Sequence, residues 1–301
     1  MPGCSELRVF SGLAHPDFAA KVADGLQTKV SSANIARFND GEISIKINTS
    51  VRGADVYVVQ PTGPPVSDTL MELLLMVSTM RNASAKRVTA VVPYFGYMRF
   101  DGGQMPSKTR RAMTKSNRNN APLDENDDVG DEIETHRTSF LAMADVARMF
   151  EVAGTSRLIT IDLHSSGQSV SEGFFSETEV EHLRSGPHVA EAITQALKLR
   201  EQNADVVVVA PHSQCFTKAK KFQALLKDIL GRPVGLALVV RSPGTNENET
   251  RVDLVGDVRG KHVLIVEDVC LPLLPAIGAP ILSAPQMIEA KVLIIHDNRT
   301  I

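Results

Sequence analysis

The sequence is poor in aromatic residues and carries no large excess of one charge. Tryptophan is absent, aromatic residues make up 5% of the 301 residues, and the formal net charge is −3. Proteins that bind nucleic acid by stacking bases and pairing phosphates need aromatic platforms and an excess of basic residues. We therefore expect no nucleic-acid partner.

Cysteines are few and long hydrophobic runs are absent. Cys4, Cys215 and Cys270 lie far apart and form no CxxC pair, which is typical of free thiols in a reducing compartment. No run approaches the roughly 18 consecutive apolar residues that a membrane helix needs, and the N-terminus lacks the pattern of a signal peptide. These features predict a cytoplasmic protein without a membrane partner.

Short β-branched runs alternate with helical patterns along the chain. This alternation predicts an α/β fold with parallel sheets covered on both faces. A break near residues 173–183 predicts two domains, 1–182 and 183–301. Strands are predicted at 7–10, 43–47, 56–59, 88–92, 158–163, 205–210, 236–240, 263–266 and 292–295, and helices at 15–27, 67–81 with Ser67 as N-cap, 138–152, 189–200 and 218–230.

Residues 102–137 interrupt this alternation. Five Lys or Arg residues fall between Lys108 and Arg118, and seven Asp or Glu residues follow between Asp124 and Glu134. Such opposed charge blocks bury too little apolar surface to offset the entropy of ordering them. We predict a disordered surface insertion, and the alternative is a regulatory or partner-binding loop.

Two loops carry side chains suited to a nucleotide. Residues 93–101, PYFGYMRFD, follow a predicted strand, and the carboxyl end of a parallel strand is where ligands bind. Arg99 offers a planar guanidinium to phosphate, next to Asp101, although a packed aromatic loop is equally compatible. In residues 38–42, FNDGE, the aromatic ring could stack on a base and the carboxylates could accept its hydrogen bonds. The alternative there is a plain hairpin turn closed by Asp-Gly.

Two further strands end in residues that suit metals or sugars. His164 follows the predicted strand 158–163 and could coordinate a metal or polarise a phosphate, although an isolated histidine is more often a structural residue. Glu267 and Asp268 end a buried strand. Adjacent carboxylates can hold ribose hydroxyls or a hydrated Mg²⁺.

Taken together, these motifs resemble the ribose-phosphate pyrophosphokinases over residues 8–268. The resemblance rests on RFNDGE, SVRGADVYVVQ, MELLLM, RVTAVVPYFGYMRFD, ITIDLH and EGFF, which occur in the family's order. It implies two similar parallel-sheet domains of the phosphoribosyltransferase-like type, the first on the ATP-binding side and the second resembling a ribose-phosphate-binding domain. It also implies Mg²⁺-dependent transfer of diphosphate from ATP to ribose 5-phosphate, and homo- or hetero-oligomers with synthetase subunits.

The resemblance also implies roles for single residues. The adenine-recognition loop is expected to reach into the neighbouring subunit's site. By resemblance, Phe38, Asp40 and Glu42 form that loop, Arg99 and Asp101 belong to the ATP loop, His164 lies near Mg²⁺ and the phosphates, and Glu267 and Asp268 hold the ribose hydroxyls.

Several positions depart from the family's pattern. Phe100 stands where the family usually has Gln. His212 replaces an acid in the ribose-phosphate and metal region, and it can ligate a metal when neutral but brings no negative charge. Arg241 aligns with the family's catalytic lysine and keeps its charge without its compact shape.

The largest departure follows Asp268. Residues 269–275 read VCLPLLP, with neither the glycine nor the hydroxyls of the family's phosphate-binding turn, and each proline removes an N–H donor. The chain is also shorter than the family at its C-terminal end, so a truncated second domain is expected. These departures support two alternatives to an active enzyme: a non-catalytic regulatory homologue associated with an active synthetase, or a truncated product of a functional gene.

Overall fold

A computed structural model describes residues 6–97, 132–163, 174–201, 205–243, 250–267, 291–296 and 299–300. The chain divides into two compact units, unit 1 (Met1–Leu183) and unit 2 (Arg184–Ile301). Each unit contains a central sheet, and most neighbouring strands within these sheets run parallel. The predicted α/β class is thus confirmed. Nowhere in the described ranges is a helix both long and apolar enough to cross a membrane.

Unit 1 has a five-stranded parallel sheet with a separate hairpin. The strand order in the sheet is β1-β4-β5-β6-β7, and β2 pairs with β3 in the hairpin. The elements are β1 (Leu7–Ser11), α1 (Pro16–Gly25), β2 (Ala33–Arg37), β3 (Ile43–Ile47), β4 (Asp55–Val59), α2 (Val66–Asn82), β5 (Arg87–Val92), α3 (Glu132–Ala153), β6 (Arg157–Ile161) and β7 (Glu179–Leu183).

The main core of unit 1 forms where α2 and α3 pack against the sheet. The predicted apolar face of α2, with Leu70, Leu73, Leu74 and Val77, is buried there, as its helical spacing requires. A smaller cluster forms between α1 and strands β1 and β4. The hairpin strand β3 packs against α2, so the hairpin lies beside that helix.

Unit 2 contains a six-stranded mixed sheet in the order β10-β9-β8-β11-β12-β13. Strands β10 and β13 pair antiparallel with their neighbours, and the other pairs are parallel. Two helices pack together and form an apolar cluster with β8 and β11. The elements are α4 (Gly186–Ala196), β8 (Val206–Ala210), α5 (Phe216–Leu230), β9 (Gly235–Pro243), β10 (Thr250–Val255), β11 (His262–Glu267), β12 (Lys291–His296) and β13 (Arg299–Thr300).

Several predicted element ends were wrong, and backbone conformation explains most of them. Helix α1 ends at Gly25 because Gln27 adopts a positive φ of 54°, and β6 ends at Ile161 because Asp162 adopts a φ of 43°. Lys198, with a φ of 49°, likewise ends the segment that was predicted to be helical to residue 200. Ser67 is not an N-cap, since α2 begins at Val66 after Pro65 and has no side-chain cap.

The prediction for residues 102–137 was wrong at its C-terminal end. Helix α3 begins at Glu132 instead of residue 138, and acidic residue types such as those at 132 and 134 suit the first turn of a helix. The remainder of the predicted insertion, residues 102–131, lies outside the described residues.

Candidate functional site

A buried polar network holds the loop that follows β1. Glu72 Oε1 accepts hydrogen bonds from the Leu13 N–H at 2.7 Å and from Gln60 Nε2 at 3.0 Å, and Gln60 Oε1 accepts one from the Ala14 N–H at 3.1 Å. Gln60 and Glu72 are 0% and 3% exposed. Gly12 makes the close approach possible, because a Cβ there would lie 2.1 Å from Gln60 Oε1. The network fixes this loop at the carboxyl edge of the sheet.

Hydrogen bonds join the loop after β5 to the loop after β4. The Thr62 N–H donates to the Tyr94 carbonyl at 2.8 Å, and the Gly96 N–H donates to Thr62 Oγ1 at 2.7 Å. Phe95 is buried and meets Phe150 edge to face, with ring centroids 5.5 Å apart. The beginning of this loop is therefore packed, as in the alternative of a packed aromatic loop.

At Tyr97 the same loop becomes exposed and adopts an unusual backbone conformation. This residue adopts a φ of 62°, a sparsely populated conformation for a side chain other than glycine. The residue is 41% exposed, and its hydroxyl lies 2.9 Å from Ser67 Oγ in the first turn of α2. Arg99 and Asp101, the predicted phosphate-binding residues of this loop, lie outside the described residues.

Residues 38–42 form the loop of the β2–β3 hairpin. The Phe38 N–H donates to the Glu42 carbonyl at 2.9 Å, and the Gly41 N–H donates to the Phe38 carbonyl at 2.9 Å. Asp40 Oδ1 accepts from the Glu42 N–H at 3.1 Å, and Gly41 supplies the positive φ of 94° that the turn needs. The hairpin alternative is thus the observed geometry.

This hairpin loop exposes the three side chains that were assigned to adenine recognition. Phe38 is 58% exposed, and Asp40 and Glu42 in the same loop are also exposed. An exposed aromatic ring with two carboxylates can stack on a base and accept hydrogen bonds from its amino group. The loop is therefore both a hairpin turn and a candidate nucleotide contact.

Strand β7 holds the segment that leads to His164. The Asp162 N–H donates to the Leu183 carbonyl at 3.0 Å, and the Leu163 N–H donates to His182 Nε2 at 2.9 Å. Sequence reasoning missed β7 and with it these contacts, since Glu179–Leu183 carries three charged or titratable side chains. His164 itself lies outside the described residues.

Glu151 at the end of α3 holds the segment after the EGFF motif. Its Oε1 accepts hydrogen bonds from the N–H groups of Ser176 at 2.6 Å, Glu177 at 2.8 Å and Thr178 at 3.4 Å, and the Ser176 hydroxyl also donates to the carboxylate. Partial burial by itself raises the pKa of Glu151, but these hydrogen bonds outweigh it and hold the pKa below its ordinary value. The carboxylate therefore fixes the turn that leads into β7.

Three of the predicted site residues of unit 2 are described: His212 follows β8, Arg241 lies on β9, and Glu267 lies on β11. His212 follows β8, and its Nε2 lies 3.3 Å from Sγ of the buried Cys215. Arg241 lies on β9 opposite Val252 of β10. Glu267 is the last residue of β11 and lies opposite His296, whereas Asp268 lies outside the described residues.

The donor atoms around His212 do not suit Mg²⁺. Among the described residues, no three His, Cys, Asp or Glu side chains come together as metal ligands do. His212 and Cys215 offer nitrogen and sulfur, whereas Mg²⁺ prefers oxygen ligands. The predicted metal role of His212 therefore gains no support from its described surroundings.

Comparison with known proteins connects this arrangement to one enzyme family. A family model described as the N-terminal domain of ribose phosphate pyrophosphokinase matches residues 7–115. The phosphoribosylpyrophosphate synthetase of Mycobacterium smegmatis has a similar structure, with a TM-score of 0.70 and 28% identity over 97% of this chain and 81% of that protein.

Curated relatives match at higher identity. The ribose-phosphate pyrophosphokinase of Thermosipho africanus is 34% identical over 268 residues, which is 88% of this chain and 70% of that protein. That of Clostridium perfringens is 33% identical over 87% of this chain and 69% of its own length. The chloroplastic enzyme 1 of Oryza sativa is 35% identical, and this chain spans 56% of its length. The chain therefore belongs to the ribose-phosphate pyrophosphokinase family.

Proposed function

We propose that this chain binds ATP through unit 1 and transfers its diphosphate to ribose 5-phosphate in nucleotide biosynthesis. One observation carries the proposal: the 38–42 loop exposes Phe38, Asp40 and Glu42 on a hairpin that is itself well ordered by hydrogen bonds. The relatives named ribose-phosphate pyrophosphokinases support it further.

Each proposed site residue has a part that suits its chemistry. Phe38 stacks on the adenine, and Asp40 and Glu42 accept hydrogen bonds from it. Arg99 contacts phosphate oxygens beside Asp101, and His164 and Arg241 add donors for the transferred group. Glu267 and Asp268 orient the ribose hydroxyls. Such a site accelerates transfer by positioning the reactants and by neutralising charge.

Mg²⁺ belongs to this proposal as the partner of ATP. When bound to ATP, the cation neutralises charge on the phosphate oxygens. The protein's own contribution at the described residues is the recognition of the base and the ordering of the loops at the carboxyl edge of unit 1.

We extend the proposal to compartment and assembly. Cys215 is a buried cysteine outside any disulfide, which suits a reducing compartment such as the cytoplasm. The exposed ring of Phe38 suits a loop that completes a site on a neighbouring subunit. Light scattering of the purified chain tests assembly, and a monomer that still binds ATP through Phe38 contradicts a shared site.

The proposed reaction is tested by following AMP release from ATP. We expect release that requires both Mg²⁺ and ribose 5-phosphate. The Phe38→Ala variant should raise KM for ATP by about ten-fold, since stacking on a base contributes on the order of 1–3 kcal/mol. Absence of ribose 5-phosphate-dependent AMP release contradicts diphosphate transfer.

A second candidate function is a nucleotide-binding regulatory homologue. It is favoured by the composition of residues 269–275. This segment has no hydroxyl side chain, and its two prolines have no N–H group, so it offers a phosphate few hydrogen-bond donors. It is also favoured by the imidazole–thiol contact at the position where the family has an acid. ATP binding without AMP release, together with altered activity of a co-purified synthetase, would favour this function over catalysis.

A further inference from the structure

The 38–42 loop is tied to the rest of unit 1 through Arg37. Its Nη1 donates to the Gly41 carbonyl oxygen at 3.2 Å, and its Nη2 lies 3.3 Å from Asp68 Oδ2. Arg37 is the last residue of β2, and Asp68 lies in the first turn of α2. One guanidinium therefore bridges the backbone of the loop and the beginning of a helix.

The other hydrogen bonds of this loop close it on itself. Within the part of unit 1 that the structure describes, they join Phe38, Asp40, Gly41 and Glu42 to one another. The apolar side chains that pack on the core, including Ile35 and Ile45, belong to the strands and not to the loop. Apolar packing therefore anchors the strands, and Arg37 anchors the loop.

We propose that Arg37 and Asp68 form a latch that positions the 38–42 loop for nucleotide binding, which rests on the function proposed above. Arginine suits this role because its planar fork can serve two acceptors at once, whereas a lysine serves them from a single point. Asp68 suits it because an acidic side chain is favourable in the first turn of a helix. Both are positioning residues, since the latch acts through the loop without touching the ligand.

The exposure of the pair sets the size of the expected effect. The Arg37 and Asp68 side chains are 41% and 53% exposed, and exposed ion pairs contribute little to folding. A loop that loses its latch must instead be ordered when the nucleotide binds, which costs affinity. We expect about a five-fold loss of ATP affinity with an unchanged unfolding midpoint.

The test is calorimetric titration of the full chain with ATP and Mg²⁺. Arg37→Ala and Asp68→Asn should each weaken binding about five-fold, and the double variant should be no weaker than either single variant. Arg37→Lys should recover part of the affinity. Arg148→Ala is the matched control, because it removes an exposed pair with Asp145 on α3 and should leave ATP affinity unchanged.

The outcomes separate this latch from the function on which it rests. If the wild-type chain binds ATP and both single variants bind it equally well, the latch is refuted and the proposed function stands. If the wild-type chain binds no ATP, both are refuted. If Arg37→Ala weakens binding only together with a lower unfolding midpoint, the residue acts on stability and the positioning role is refuted.

Discussion

Replacing Gly12 by alanine tests the polar network at the carboxyl edge of unit 1. The added Cβ would lie 2.1 Å from Gln60 Oε1 and 2.8 Å from Glu72 Oε1. Neither side chain can swing into solvent, because both are buried. The substitution must therefore displace the two acceptors that hold the N–H groups of Leu13 and Ala14.

The size of the effect follows from two terms. Overpacking a closely packed site costs about 1–3 kcal/mol, and leaving a buried acceptor such as Gln60 or Glu72 without its donor costs about 1–3 kcal/mol. We expect Gly12→Ala to lower the free energy of unfolding by about 3 kcal/mol. For a unit of this size, that loss lowers the unfolding midpoint by about 6–12 °C.

Differential scanning calorimetry measures this change, and hydrogen exchange assigns it to unit 1. Gly25→Ala is the matched control, because a Cβ at Gly25 meets nothing within 4 Å and the residue ends α1. We expect the control to leave the midpoint unchanged or slightly higher. Equal midpoints for Gly12→Ala and wild type would refute the close approach and the network that depends on it.

Two further predictions concern the other contacts that fix this unit. Glu151→Gln should lower the free energy of unfolding at pH 7 by roughly 0.5–1 kcal/mol, a modest value because the carboxylate is only partly buried. The folded-state pKa of Glu151 lies below its ordinary value of 4.5. Its contribution to stability is therefore present above pH 4.5 and is lost as the pH falls through the folded-state pKa. Denaturant unfolding of wild type and variant from about pH 7 to about pH 3 should show their difference in stability vanish, and a difference that stays constant contradicts this account. Tyr97→Phe and Ser67→Ala should each lower the free energy of unfolding by at most about 1 kcal/mol. Urea unfolding of the double variant should show no larger loss of stability than either single variant. Additive losses would mean that the two hydroxyls do not interact.

The spacing of apolar residues along the sequence predicted those strands and helices in which buried residues recur at a regular interval. Strand β3 occupies the predicted residues, and α2 buries the predicted face, because one face of each element packs on the core. Strands β2, β7, β10 and β13 escaped prediction. In β7, the cross-strand neighbour Arg157 pairs with both Glu179 and Glu181, so charges that argued against a strand are satisfied within the sheet.

The candidate site was predictable only where neighbours in sequence form it. Residues 38–42 could be read as a hairpin turn and as a base contact, because both properties arise within five residues. The network of Gly12, Gln60 and Glu72 could not be predicted, since its hydrogen bonds join residues 59 and 46 positions apart. The role of Arg37 also depends on a partner in another element, which only the fold brings near.

The central claim is that the exposed 38–42 loop recognises the base of ATP, and competition between two ligands tests it most directly. We expect the full chain to bind ATP at least about ten-fold more tightly than inorganic tripolyphosphate, since stacking contributes on the order of 1–3 kcal/mol. Phe38→Ala should remove most of that preference while leaving tripolyphosphate affinity unchanged. Equal affinities of the wild-type chain for the two ligands, or no binding of either, would contradict the claim.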